Sequence, residues 1–62
     1  MIASDLQPGD VVVIAAFDDI PEHRFQIETV EEDCVTGIAL SGPLEGSYGE
    51  PEFALIVGLH TD

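Results

Sequence analysis

The sequence predicts a single all-β domain over residues 1–62, built as a small barrel or β-roll of four to five short antiparallel strands. Two observations lead there: apolar residues rich in valine and isoleucine occur in short runs, and four prolines and six glycines interrupt the chain. A chain of 62 residues has room for one core only, and its single cysteine allows no internal disulfide. We therefore expect a tight barrel, a metal or a partner chain to stabilise it.

Two unbroken apolar runs predict strands that are buried on both faces or that place one face in an interface. The first, Val11 to Phe17, follows the turn Gln7 to Asp10, and the second, Phe53 to Leu59, follows Pro51. A domain this small cannot easily bury both faces of two strands. The runs therefore favour self-association, and a structural homo-oligomer is one hypothesis for the function.

The middle of the chain, residues 22–42, reads as a helix or as a β-hairpin. Helical spacing of its apolar residues exists, but several are β-branched and Gly37 interrupts the segment. We favour the hairpin, in which Phe25 to Thr29 and Cys34 to Leu40 alternate around a turn at Glu31 to Asp33. Gly37 then marks either a bulge or a close approach of another backbone. The segments 18–24 and 41–52 are turn-rich and acidic and are predicted to be loops.

The opening segment from Leu6 to Val13, LQPGDVVV, places Pro-Gly-Asp between a hydrophobic residue and a valine-rich strand. It resembles the first strand of the Src-homology-3-like small barrels, including their KOW and Tudor-like branches. The resemblance implies a barrel and a binding role, and it carries over no functional residue. RNA-binding KOW barrels are usually basic, and proline-rich peptides dock on an aromatic groove. This chain is acidic and has no tryptophan, so we interpret Phe17, Phe25 and Phe53 as core residues.

The charge of the chain is one-sided, with Arg24 as the only Lys or Arg against 13 Asp and Glu and a formal net charge of −12. Binding to a nucleic-acid backbone or an anionic membrane needs clustered basic residues, so neither is expected as a direct partner. A basic protein surface is the expected partner, and the protein is predicted to be a non-catalytic binding or adaptor module. In its extreme form this hypothesis makes the chain a nucleic-acid mimic whose carboxylates replace phosphates.

The residues expected to contact the partner are acids of the hairpin and of the segment before the last strand. Tyr48, flanked by glycines, is either a surface anchor or folds back over the end of the barrel. The predicted contact residues are Glu28, Glu31, Glu32, Asp33, Glu45, Tyr48, Glu50 and Glu52.

A weaker hypothesis is a metal-dependent function in the loop after the first strand. Asp18, Asp19, Glu22 and His23 supply oxygen and nitrogen ligands within six residues, although their spacing matches neither a calcium loop nor a zinc set. A solvated acidic loop is the alternative. No cofactor is expected.

No arrangement of residues predicts catalysis. Neither histidine is placed beside a nucleophile, and the acids before Cys34 should raise the pKa of its thiol. The single cysteine and an N-terminus without the pattern of a signal peptide predict a cytoplasmic protein.

Overall fold

The computed structural model describes residues 6–60, which form one five-stranded antiparallel sheet. The strands are β1 (Val11–Ile14), β2 (His23–Val30), β3 (Val35–Ala39), β4 (Tyr48–Gly49) and β5 (Ile56–Leu59), in the spatial order β4-β3-β2-β1-β5. A 3-10 turn at Phe53–Leu55 precedes β5. The described part contains no α-helix, so the predicted all-β class is confirmed, and no helix there could span a membrane.

The turn before β1 forms as the Pro-Gly-Asp sequence predicts. Gly9 has a φ of 95°, and the Asp10 amide donates a hydrogen bond to the Gln7 carbonyl over 3.0 Å. Proline at the second position and glycine at the third suit this geometry. The turn is also tied to β2, because the Gly9 amide donates to the Ile27 carbonyl over 2.7 Å.

The core lies on one face of the sheet. In β1, Val12 and Ile14 are buried, and in β2 alternate side chains beginning at His23 point inward. This period of two is what one buried sheet face requires. The buried hydrophobic residues are Leu6, Val12, Ile14, Phe25, Ile27, Val35, Ala39 and Ile56.

The segment from β4 through the 3-10 turn wraps around this core. After β4 it continues beside the start of β3, where the Val35 amide donates to the Pro51 carbonyl over 3.1 Å. The 3-10 turn then carries it across to β1, where the Ala15 amide donates to the Leu55 carbonyl over 2.7 Å. The two ends of the sheet are thereby drawn around a single core.

Several predicted boundaries differ from the structure. The first apolar run leaves the strand after Ile14, because Phe17 and Ile20 pair across a two-residue turn that contains Asp18 and Asp19. The second run starts with the 3-10 turn, so only its last four residues form a strand. Apolar composition alone does not distinguish a strand from a short turn that packs on the core.

Two segments predicted as loops contain strand residues. His23 and Arg24 belong to β2, since His23 occupies the first inward position of the alternating pattern that Phe25 continues. Tyr48–Gly49 forms the short edge strand β4, paired with Gly37 and Ile38. A two-residue strand is too short to give a periodic signal in the sequence.

Gly37 is explained by a close approach next to a bulge. The register of β2 against β3 shifts between Ile27 and Thr29, opposite Gly37. A Cβ at Gly37 would collide with the carbonyl oxygen of Gln26 and would lie 2.9 Å from a ring carbon of Phe25. The glycine therefore admits the bulged backbone and the aromatic ring together.

Candidate functional site

The bulge in β2 re-aims the side chains at the hairpin end of the strand. Up to Ile27 the strand alternates buried and exposed positions, but Glu28 and Thr29 are both exposed. The register shift at this point leaves Glu28 as the extra residue opposite β3. Bulges are over-represented where a sheet must turn a side chain toward a site. Glu28 is exposed by the regular alternation, and the bulge turns Thr29 to the same surface beside the hairpin turn.

An open groove of about 560 Å³ lies at this end of the sheet, and we call it the acidic groove. It spans the end of β2, the β2–β3 turn, the start of β3 and the segment around β4. Its carboxylates are Glu28, Glu31, Asp33 and Glu50. Its other lining residues are Thr29, Cys34, Thr36 and Tyr48. The chain's one Lys or Arg residue, Arg24, lies four residues before Glu28 on the same strand, about 13 Å along it.

The hydroxyl groups of the acidic groove are occupied by internal hydrogen bonds. The Thr29 hydroxyl donates to a Glu31 carboxylate oxygen over 3.0 Å. It also lies 2.6 Å from the Thr36 hydroxyl, which must be the donor of that bond because Thr29 has one proton. The Tyr48 hydroxyl donates to Glu50 over 2.7 Å. The groove therefore presents mainly acceptor oxygens to a ligand.

Tyr48 is 58 % exposed, which favours the surface-anchor interpretation over the one in which it folds back. Its hydrogen bond to Glu50 raises the pKa of the phenol, because proton loss would place two anions together. The pKa of the Cys34 thiol is also raised, first by desolvation and then by the charge of Asp33. Cys34 is thus a thiol rather than a thiolate at neutral pH, which makes it a poor nucleophile.

Five of the eight predicted contact residues line the acidic groove, and three do not. Glu32 lies at the tip of the β2–β3 turn and Glu45 in the loop before β4, both exposed. Glu52 belongs to a second depression. Thr29 and Thr36 were missed, because only the bulge reveals that they share a surface with the acids.

The second depression, which we call the apolar pocket, has a volume of about 290 Å³ and adjoins the acidic groove. Tyr48 and Glu50 line both. Its wall consists mainly of apolar side chains from β1, β2, β3, the loops and the 3-10 turn, which are Ile14, Phe17, Phe25, Ala39, Leu44, Pro51 and Leu55. Its remaining lining residues are His23, Ser47, Gly49 and Glu52.

The structure does not bring the predicted metal ligands together. His23 is 6 % exposed, and its Nδ1 lies 3.0 Å from the Pro21 carbonyl oxygen, whereas Asp18, Asp19 and Glu22 are exposed. Across residues 6–60, no three His, Cys, Asp or Glu side chains are grouped as metal ligands. The inward turn of His23 in β2 is the physical reason.

Ser41 and Ser47, the serines within residues 6–60, are likewise not arranged as nucleophiles. Ser41 accepts a hydrogen bond from the Arg24 amide over 3.0 Å. Ser47 and His23 both line the apolar pocket, but no hydrogen bond joins them within the described residues.

No protein-family model, curated protein or solved structure shows significant similarity to this chain. The resemblance to Src-homology-3-like barrels therefore stays a prediction, and the site has to be interpreted from its own chemistry.

Proposed function

We propose that this protein is a non-catalytic binding module that docks a basic surface of another protein in its acidic groove. One observation carries the proposal. Four carboxylates line one groove with no Lys or Arg among the lining residues, and the threonine and tyrosine hydroxyls there already donate to internal acceptors. A ligand for such a surface must bring positive charge and hydrogen-bond donors, which Lys and Arg side chains provide.

The spacing of the carboxylates favours several separate cations over one metal ion. A divalent ion needs ligand atoms about 2–2.6 Å from a common centre. Within residues 6–60 no acids are grouped in this way. Basic side chains on a protein surface are instead spread over many ångströms, as these carboxylates are over β2, the hairpin turn and the residue after β4.

The electrostatic contribution favours fast, salt-sensitive association over tight binding. Exposed ion pairs contribute about 0.2–1 kcal/mol each, so four give about 1–4 kcal/mol. On its own this corresponds to a dissociation constant of about 1 mM or weaker. Complementary charge nevertheless raises the association rate and selects against acidic partners.

The nucleic-acid mimic is the extreme form of this proposal, and competition distinguishes it. If the groove occupies the nucleic-acid site of its partner, duplex DNA will displace the protein from that partner. If the protein binds another basic surface as an adaptor, the complex will persist in the presence of DNA.

The proposal places the protein in the cytoplasm, because Cys34 is a free thiol and the chain has no second cysteine.

The test is capture of partners from a lysate of the source organism on three immobilised forms, with elution by a stepwise salt gradient. The forms are the wild type, the groove variant Glu28→Gln/Glu31→Gln, and the control variant Asp19→Asn/Glu22→Gln. Both variants remove two negative charges at exposed positions, but only the first changes the groove. We expect a basic protein that the wild type and the control retain and the groove variant loses. Equal retention by all three forms would contradict the proposal.

A homo-oligomer is the second candidate, and the exposed edge of β5 favours it. Val57 is 60 % exposed and Leu59 45 %, and β5 contains no charge and no proline to protect the edge. Its only strand partner within residues 6–60 is β1. A second copy pairing along β5 would cover both side chains. Light scattering that shows a monomer at micromolar concentration would exclude this candidate.

A further inference from the structure

The apolar pocket raises a question that the acidic groove does not answer, namely what supplies affinity. A groove of exposed carboxylates attracts basic partners without holding them tightly. Strong protein contacts usually depend on a few buried anchors, most often aromatic side chains in a pocket. The apolar pocket adjoins the groove, since Tyr48 and Glu50 line both.

Resting on the function proposed above, we infer that the apolar pocket receives one aromatic side chain, Phe or Trp, from an extended basic segment of the partner. The neighbouring Lys and Arg residues of that segment lie in the acidic groove. The partner's recognition element is therefore an aromatic residue flanked by basic residues, and not positive charge alone.

The size of the pocket agrees with a side chain as its occupant. An apolar cavity of about 150 Å³ holds a benzene molecule, so about 290 Å³ has room for a phenyl or indole ring. Pockets for complete small ligands usually start near 300 Å³ and extend to about 1,000 Å³. The volume is thus at the lower end for a free ligand but sufficient for one ring.

The chemistry of the wall favours an aromatic occupant. Phe17 and His23 already pack with ring centroids 6.2 Å apart at 55°, and Phe25 lines the same pocket. Aromatic rings pack favourably in such tilted arrangements. A third ring entering here would extend an existing cluster.

The carboxylates that line the pocket determine which residues can flank the aromatic ring in the partner's segment. Glu50 and Glu52 line the pocket together with the apolar wall, and Glu50 also lines the acidic groove. A ring that enters between these carboxylates brings its flanking residues close to them. Flanking Lys or Arg residues are attracted there, and flanking Asp or Glu residues are repelled.

The test uses four synthetic probes and nuclear magnetic resonance titration of the full chain. The first probe is a seven-residue peptide of lysine and arginine with a central tryptophan, and the second replaces this tryptophan by alanine. The third keeps the tryptophan between glutamates, and the fourth is tryptamine, a free aromatic amine. The readouts are dissociation constants and shifts of the Leu44 and Leu55 methyl groups, which report on the apolar pocket.

We expect the first peptide to bind at least about tenfold more tightly than the other three probes and to shift both methyl groups. Equal binding of the tryptophan and alanine peptides, with unmoved methyl groups, would overturn this inference but leave the proposed function standing. If neither basic peptide binds at low salt, both are overturned. Equal binding of the glutamate peptide would show that the pocket takes a ring without basic neighbours. Equal binding of tryptamine would show that a ring with one ammonium group suffices without a flanking peptide. Either result also contradicts the inference.

Two variants at an exposed pocket position test the same point without disturbing the core. Ser47 is exposed and lines the pocket. Ser47→Trp supplies an internal ring that competes for the space, and we expect it to abolish the preference for the tryptophan peptide. Ser47→Ala leaves the pocket open and should retain that preference. Loss of the preference in both variants, or in neither, would contradict the assigned position of the anchor.

Discussion

The two lateral ends of the sheet, β3–β4 and β1–β5, differ in the residues that pack there and in the charge of their surfaces. On the β3–β4 side, Gly37 and Gly49 form a cross-strand pair against the ring of Phe25, and carboxylates occupy the exposed surface. On the β1–β5 side, the sheet is aliphatic, and Val57 and Leu59 are exposed without a charge in the strand.

Because of this difference, the surface suited to a basic partner and the strand edge suited to a second copy of the chain lie in different parts of the molecule. The carboxylates and Tyr48 of the β3–β4 side suit a basic partner, and the uncharged edge of β5 suits a second copy of the chain. The glycines differ as well. Gly37 is enclosed by backbone and ring atoms, whereas a Cβ at Gly58 in β5 would meet no atom within 4 Å.

The largest expected effect comes from the two glycines. Gly37→Ala should lower the free energy of unfolding by about 2–3 kcal/mol, because the new methyl group collides with the Gln26 carbonyl and crowds the Phe25 ring. Gly58→Ala is the matched control. It should leave stability unchanged or raise it by up to about 1 kcal/mol, since alanine loses less entropy on folding. Urea unfolding of both variants measures their free energies of unfolding. Equal losses of stability would contradict the claim that Gly37 is enclosed and Gly58 is not.

Added salt should stabilise the folded protein by screening repulsion among its carboxylates. Twelve excess negative charges repel one another in the folded state, and added NaCl screens that repulsion. We expect a relief of about 1 kcal/mol, which corresponds to a rise in Tm of about 4–8 °C for a domain of this size. Thermal unfolding at several NaCl concentrations measures it. The groove variant Glu28→Gln/Glu31→Gln should show a smaller rise, and a flat response of the wild type would contradict self-repulsion.

A smaller effect is expected at the turn after β1. Asp18 has a φ of 49°, a left-handed conformation that costs glycine less than a residue with a Cβ. Asp18→Gly should therefore raise the free energy of unfolding by up to about 1 kcal/mol. Asp18→Asn removes the same charge and keeps a side chain, so it separates backbone strain from charge repulsion. Equal stabilisation by both substitutions would assign the effect to charge.

The smallest effect concerns Tyr48 at alkaline pH. Its raised pKa means that the folded protein holds the phenol proton more tightly than the unfolded chain does, so this stabilisation is complete below the ordinary pKa of 10.0. It is lost as the pH rises through the higher pKa of the folded state. Tyr48→Phe should therefore lose less stability than the wild type as the pH rises above 10.0. Absorbance titration of the phenolate should show a lower pKa in Glu50→Gln, and an unchanged value would contradict the hydrogen bond.

The sequence predicted the fold class and the hairpin because alternation and turn residues are local signals. The alternation from Phe25 to Thr29 and the Pro8-Gly9 turn are both recognisable in the printed residues. The extension of β2 back to His23 is not predicted, because a polar residue at an inward position conceals the continued alternation.

The arrangement of the site was less accessible to sequence analysis. The charge of the sequence predicts five residues of the acidic groove, but the bulge that exposes Thr29 beside Glu28 depends on pairing with β3. The apolar pocket is assembled from residues as distant in sequence as Ile14 and Leu55. Such contacts depend on tertiary folding, and no spacing rule for a single chain segment predicts them.

The most direct test of the account is the salt dependence of the association rate with the basic protein captured on the wild type. We predict that the rate constant of the wild type falls steeply with ionic strength, that Glu28→Gln/Glu31→Gln lowers both the rate at low salt and the slope, and that Asp19→Asn/Glu22→Gln changes neither substantially. Identical slopes for the two variants would show that net charge, and not the acidic groove, attracts the partner, and would contradict the central claim.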